Sequence, residues 1–538
     1  MADLSIGRIG SPPPPRPARQ TPPSPGQAGE GYAGSVEPKR YTVISLLGAS
    51  LGSGVGAPTE TREYVEKLAP QIRDNSLAVV LLGTYKEADQ NNWRSRRYAI
   101  DQRGVHDTTA GLSGFHIAHG QATPARGERV SAMHPETVKN HILEAMREYP
   151  AEHFIFHVNA HGSNLKGIGG CTNESLAKDD IKGFFVHHSR LDTIDLPTLG
   201  QIFQEVQQET GHKMSIVDID TCLMGYQEVN SALQPHADFL ISSPAAEKGH
   251  LGKGSQPDRS GHQQVEVFEK ILHNPQITPQ ELAREFIEVN AREGVIREGG
   301  QTYHAAPTLS AYSSQGISEL NARLDQLGER LLKELEAKPE RNLLSFFRKG
   351  LSGTDKIQKA IDQTRVFPSG KGDPYLDLQH FAQNLAAQYP DDPEMQKLSA
   401  GVSEGVDQAA LASHKGVGQE DGKLVDYTGF GPLGVFLPGG SDNPFSQGLR
   451  SHYRAQPGPA TFWKRAAEKA DQLNLSPEER TQLAGPILSP LGRKIWAHEV
   501  SQIMPGLDQY HRTPNLPPQW KEFVLRWVSH TVSRGLPQ

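Results

Sequence analysis

Two short apolar runs, each stopping on a chemically capable residue, constrain this chain more than any other feature. The first, in YPAEHFIFHVNAHGSNLKGIGG from Tyr149, ends at His161-Gly162; the second, in KMSIVDIDTCLMGYQEVN from Lys213, ends at Asp220-Thr221-Cys222. A buried parallel strand delivers a side chain to the rim of an α/β sheet in this way. One rim residue is a histidine and the other a cysteine, so a sheet with nucleophilic chemistry at its carboxyl edge is the expected frame.

The flanking segments extend that frame. Residues 41–50 (YTVISLLGAS) read as a strand, 59–72 as a helix with Tyr64, Val65, Leu68 and Ile72 inward, and 77–82 as a second strand. The loop between the first strand and the helix carries Gly52, Gly54 and Gly56, but GSGVG matches neither phosphate-cradling spacing and reads as a close strand-helix turn. Residues 91–104 read as a hairpin or edge strand, 105–130 as a surface loop, and 135–148 as a helix leading into the His161 strand. A hairpin at 183–188, a helix at 196–210, a helix running from Cys222 through Gln234 and a strand at 237–243 follow. Strands alternating with helices imply a mostly parallel sheet flanked by helices.

Beyond Gly261 the pattern is mostly helical, interrupted by strand-like stretches at 307–313 and 431–438. Residues 441–538 add further helical stretches, among them WKRAAEKADQL and QWKEFVLRWVSHTV. A chain of 538 residues is too long for one simple core. The expected organisation is a leader at 1–38, a catalytic core at 39–260, a second part of the same unit at 261–440 and a helical C-terminal region at 441–538. The leader holds Pro12 to Pro15, Pro17, Pro22, Pro23 and Pro25, a composition that buries too little apolar surface to offset its ordering entropy. It is expected to be disordered, its PxxP spacings leaving room for a docking partner with an aromatic groove.

Composition narrows the partners. The net charge is -7 with Lys and Arg dispersed, which does not favour nucleic acid. No apolar run approaches the roughly 20 residues that span a bilayer, so no membrane partner is expected. The N-terminus lacks the charged-then-apolar layout of a secretory signal, so a cytoplasmic protein is expected, with export that needs no cleavable signal left open. Cys171 and Cys222 are the two cysteines, too few for a disulfide framework or a cysteine-based zinc site.

Cysteine is a strong nucleophile because its thiolate forms near neutral pH beside a cation or a helix N-terminus. Cys222, at an expected strand-to-helix junction, would face unpaired N–H groups that also hold an oxyanion, together with the flexible Gly162. His161 then supplies acid-base catalysis and protonates the leaving amine. Cys171, in a Gly-rich loop, has no strand-end setting and reads as a secondary thiol. His153, His157 and His161 match a metal site only on a helix; on a strand the outer two stand about 13 Å from the middle one, too far to share an ion. Phe154, Ile155, Phe156 and Val158 favour the strand, and His187-His188 reads as a hairpin feature.

At this point the motifs resemble the clostripain family of cysteine peptidases, which share a caspase-like fold. The resemblance runs through YPAEHFIFHVNAHGSNLKGIGG, IVDIDTCLMGYQEVN and HADFLISS, and extends to TVISLLGAS, WRSRRYAI, PTLSAYSSQGISEL, AIDQTR, PYLDLQHFAQNL and GPLGVFLP, roughly residues 40–440. It implies a His161/Cys222 dyad acting on polypeptides, with the Gly162 and Cys222 amides as the oxyanion hole. It also implies that Asp220 lines the pocket for the substrate residue before the scissile bond and selects Arg or Lys. Where the family has an acidic loop ending in Gly-Trp, this chain reads PAAEKGHLGKG, with Glu247 as the one candidate second acid. No cofactor is required on this reading; stimulation by calcium and self-cleavage between His161 and Cys222, at Lys178, Lys182 or Arg190, are implied by the resemblance alone. The alternative reading is a catalytically silent caspase-like binding module that recruits partners through its termini.

Overall fold

Nine strands form the main sheet. They are β1 (Lys39–Leu47), β2 (Leu77–Lys86), β3 (Trp93–Asp101), β4 (Gly104–Asp107), β5 (Ala151–Asn159), β6 (Met214–Asp220), β7 (Ala237–Ser242), β8 (Leu309–Ser313) and β9 (Ala410–His414). Their order across the sheet is β9-β8-β7-β6-β5-β1-β2-β3-β4. The computed structural model describes residues 37–48, 57–86, 93–118, 121–162, 164–169, 193–245, 264–291, 294–298, 301–305, 308–337, 352–367, 375–420, 423–438 and 507–534. All belong to one unit formed by Glu37–Arg454 and Met504–Gln538.

The five central strands, β7, β6, β5, β1 and β2, are parallel. Their near-continuous apolar runs suit strands covered on both faces. The two strands at each end are antiparallel, so the sheet is mixed and parallel only at its centre. That refines the expected mostly parallel sheet. β8 and β9 reach it from the part of the chain that reads as mostly helical.

Helices on the two faces are α1 (Ala57–Glu63), α2 (Pro135–Glu148), α3 (Leu196–Thr210), α4 (Gln227–Leu233), α5 (Gln264–His273) and α6 (Pro279–Asn290), followed by α7 (Ser314–Glu336), α8 (Pro393–Ala409) and α9 (Pro518–Arg534). α1 continues through a wide turn at Tyr64–Leu68, and a tight turn at Ala69–Gln71 containing Pro70 ends it. Tyr64, Leu68, α5 and α6 cover one face over Tyr41, Val43, Ile155, Ile216 and Ile241. α2 and α3 cover the other, where Phe203 meets Phe156 edge-on with ring centroids 5.2 Å apart. Residues 105–130, expected as a loop, instead contain β4 and a hairpin of Ser113–Ala118 with Gln121–Arg126. Its described side chains are mostly exposed or half-buried, so no apolar alternation announces it.

α7 buries Ile317, Leu320, Leu324, Leu327 and Leu331 against α8 and α9. Close approach requires glycine at 328, where an added Cβ would lie 2.4 Å from the Trp520 backbone nitrogen. Trp520 and Trp527 of α9 are fully buried. The leader and the helical stretch WKRAAEKADQL fall outside the described residues. No described helix is long and apolar enough to cross a membrane.

Glu228 of α4 is fully buried, and its Oε1 accepts a hydrogen bond from the Phe436 backbone N–H at 2.9 Å. Burial pushes its carboxyl up from 4.5 to about 7. A folded-state pKa above the unfolded one means that stability is fully present below pH 4.5 and is lost as pH rises through about 7. Complete titration corresponds to roughly 3 kcal/mol. Glu228→Gln, which keeps the acceptor, is expected to be more stable than the wild type at pH 8 and to lose part of the decline between pH 5 and 8. Urea-unfolding midpoints at the two pH values check this.

Candidate active site

β5 and β6 are neighbours in register, with Asn159 opposite Asp220, so the residues that follow them emerge side by side at the carboxyl edge of the sheet. After Asn159 the chain bends at Ala160 and enters a two-residue strand, His161–Gly162, which leaves the main sheet and pairs with Ile168–Gly169. After Asp220 come buried Thr221 and half-buried Cys222, which carries a thiol.

The two exits touch through their main chains. A Cβ added at Gly162 would lie 2.4 Å from the Cys222 carbonyl oxygen and 2.4 Å from Thr221 Oγ1. The Asn164 N–H donates to the Leu223 carbonyl at 3.0 Å, a second tie between them. Asn164 and Leu223 have φ of 46° and 60°, in the left-handed region that non-glycine residues seldom occupy. Such backbone persists where surrounding structure over-determines it, here by main-chain bonds at the cysteine. Burial lowers the His161 pKa, which keeps the imidazole neutral and ready to accept a proton at neutral pH.

The expected helix does not begin at Cys222. Residues 222–226 form a turn, and α4 starts at Gln227. The N–H groups that the helix would have aimed at the thiol are spent elsewhere. Leu223 N–H donates to the Ala245 carbonyl at 3.0 Å, and those of Met224 and Gly225 to the Ser243 carbonyl at 2.8 and 2.6 Å. Cys222 therefore does not sit at the helix N-terminus that the sequence leads one to expect, and the candidate oxyanion donors are the N–H groups of Gly162 and Cys222 themselves.

Asp220 is 3% exposed, and Asn159 Nδ2 donates to its Oδ2 at 2.8 Å. His153 and His157 lie on β5, whereas His161 has left that strand. His153 Nδ1 is 3.2 Å from Ser215 Oγ, and the fully buried His157 has Nδ1 3.0 Å from Asp218 Oδ2. Gln264, the first residue of α5, reaches the same layer with its amide nitrogen. The sequence reading missed His157–Asp218 as a pair and Gln264 altogether. The alternation Asp218-x-Asp220 carried a signal for the former; no local pattern connects residue 264 to strand β6. Glu247, Cys171, His187, His188, Lys178, Lys182 and Arg190 fall outside the described residues. Among the described residues no group of three or more His, Cys, Asp or Glu is placed to hold a metal ion.

A model of the clostripain family matches residues 120–408, more than half of the 538. The chain belongs to the clostripain family. It is a cysteine-type peptidase with a polypeptide substrate, and its central parallel strands with helices on both faces are the caspase-like arrangement that the motifs imply. Solved structures similar to this clostripain-family peptidase include a secreted C11 cysteine protease from Bacteroides thetaiotaomicron bound to an irreversible peptide inhibitor. It shows 16% identity and a TM-score of 0.47, over 78% of this chain and 96% of that one. An inactive zymogen C11 protease from Parabacteroides distasonis shows 14% identity and a TM-score of 0.47, over 76% and 94%. No curated relative matches the chain by sequence.

Proposed function

We propose that the chain is an endopeptidase that cleaves after Arg or Lys, with Cys222 as nucleophile, His161 as general base and acid, and Asp220 as the carboxylate that receives the basic side chain. The observation that carries this reading is the main-chain contact of Gly162 with Cys222, which holds the histidine and cysteine exits together at the carboxyl ends of adjacent parallel strands.

The chemistry follows from the groups. His161 takes the thiol proton, and the Cys222 sulfur attacks the scissile carbonyl carbon. The resulting oxyanion is held by the backbone N–H groups of Gly162 and Cys222. His161 returns the proton to the leaving amine, whose departure leaves a thioester on Cys222. Water, deprotonated by His161, then attacks the thioester; the acid product leaves and the thiol is restored.

Asp220→Asn is the test of specificity. Losing one partner of a buried charge pair costs about 2–5 kcal/mol, so kcat/KM for a peptide with Arg before the scissile bond is expected to fall by about 30-fold or more. Peptides ending in Arg, Lys or Asp before a fluorogenic leaving group measure it. A wild-type preference for Asp over Arg would remove Asp220 from this role.

A further inference from the structure

One feature of the catalytic unit is unexplained by the dyad or by the fold. The face of the sheet beneath α5 is apolar through Val43, Ile155 and Ile216, which stand in one row. One step nearer the carboxyl edge it turns polar, and Ser45, His157 and Asp218 stand in a row across β1, β5 and β6. All three are fully buried. Replacing both partners of a buried hydrogen-bonded pair by packed apolar side chains is often neutral or stabilising, so stability gives little reason to keep His157 and Asp218 there.

The array instead leads to Asp220. Asp218 and Asp220, two residues apart on one strand, project from the same face, and both are buried. Gln264 Nε2, with two hydrogens, lies 3.3 Å from Asp218 Oδ2 and 3.4 Å from Asp220 Oδ2 and bridges the two carboxylates. His157 Nδ1 meets the same Asp218 Oδ2 at 3.0 Å and lies 3.4 Å from Gln264 Nε2, so the imidazole stands beside both partners. On Asp220, Gln264 and Asn159 both reach Oδ2. Two donors on one oxygen fix the orientation of a carboxylate.

We propose that His157, Asp218 and Gln264 are positioning residues that set the specificity of the peptidase: they hold the Asp220 carboxylate in the orientation that receives a guanidinium or ammonium group. The inference rests on the reading of Asp220 given above. His157 orients Asp218, Asp218 fixes the Gln264 amide, and the amide fixes Asp220. None of the three needs to touch substrate. The array reaches the site through the Asp220 carboxylate, so its effect belongs to substrate binding and not to the thiol chemistry.

Two variants of the full chain test it. Gln264→Leu removes the bridging amide at the start of a helix. The double variant His157→Leu/Asp218→Leu removes both members of the buried pair together, which avoids stranding a lone charge in the core. Three quantities are read for each: KM and kcat on a peptide with Arg before the scissile bond, and the rate of Cys222 alkylation by iodoacetamide, which does not use the Asp220 pocket. A lost hydrogen bond to a charged group predicts a KM about tenfold higher in both variants, with kcat within about twofold and alkylation unchanged. Unchanged KM in both variants overturns the inference. So does a parallel loss of kcat and alkylation rate, which marks a purely structural role. A wild-type enzyme that alkylates at Cys222 yet does not favour Arg or Lys overturns the reading of Asp220, and the inference with it; that outcome is separate because it appears before any variant is made.

Discussion

Cys222→Ala is expected to lower kcat/KM on a peptide amide by about 10⁴-fold or more, leaving only what binding and oxyanion donors contribute. His161→Ala is expected to fall in the same range, because without the imidazole neither the thiol proton nor the leaving amine is served. The two losses should not add, since they disable one unit. Cys171→Ala, which removes the other thiol, should retain turnover. The acid limb of the wild-type kcat/KM profile should lie below pH 6.5, because burial lowers the His161 pKa from that value and the free enzyme needs its imidazole neutral. Turnover that persists in Cys222→Ala and disappears with a chelator would place the chemistry on a metal instead.

The second large effect is expected at Gly162. Its missing Cβ leaves room for the Cys222 carbonyl and for the Thr221 side chain, whose Oγ1 and Cβ would stand 2.4 and 2.8 Å from an added carbon. Cβ atoms do not approach other atoms this closely, and the peptide unit that carries the Cys222 carbonyl is fixed by the bond of its Leu223 N–H to the Ala245 carbonyl. Gly162→Ala must therefore part the histidine exit from the cysteine exit. A displacement of about 1 Å costs on the order of 10²-fold in rate, so kcat should drop at least that far. The thermal midpoint should fall with it. Gly401→Ala is the matched control: no atom lies within 4 Å of its added Cβ. On α8 alanine is also the better helix former, so that variant should keep its activity and gain slightly in stability. Equal behaviour of the two alanine variants would show that the exits are not in contact in solution.

The parts of this architecture that were legible in the sequence are those with a local cause. β1, β2, β5 and β6 announce themselves because strands buried on both faces are written in uninterrupted apolar residues. His161 and Cys222 stand out because each is where such a run stops. What was not legible depends on partners distant along the chain. The turn after Cys222 is held open by carbonyls of Ser243 and Ala245, more than twenty residues later, and this postpones α4 to Gln227. Gln264 lies 44 positions beyond Asp220 and reaches it only because α5 folds back over β6. β8 and β9 complete one end of the sheet from beyond residue 300. The hairpin at 113–126 exposes or half-buries most of its described side chains, so hydropathy had nothing to mark.

The anchoring of the cysteine turn has a consequence for how such an enzyme can be re-engineered. Leu223, Met224 and Gly225 are moored to residues 243 and 245 by backbone groups alone. A tether made of peptide N–H and C=O does not depend on side chains beyond it, but the donors themselves are constrained: proline would remove an N–H, and a Cβ at Gly225 would lie 2.3 Å from the Pro244 nitrogen. The described mooring carbonyls belong to Ser243 and Ala245, so changes of sequence after Ala245 should leave the sulfur at its address. Diversity placed in residues 246–263 should therefore keep a rate of acylation close to the parent's. The same diversity at 223–225 should yield mostly inert protein.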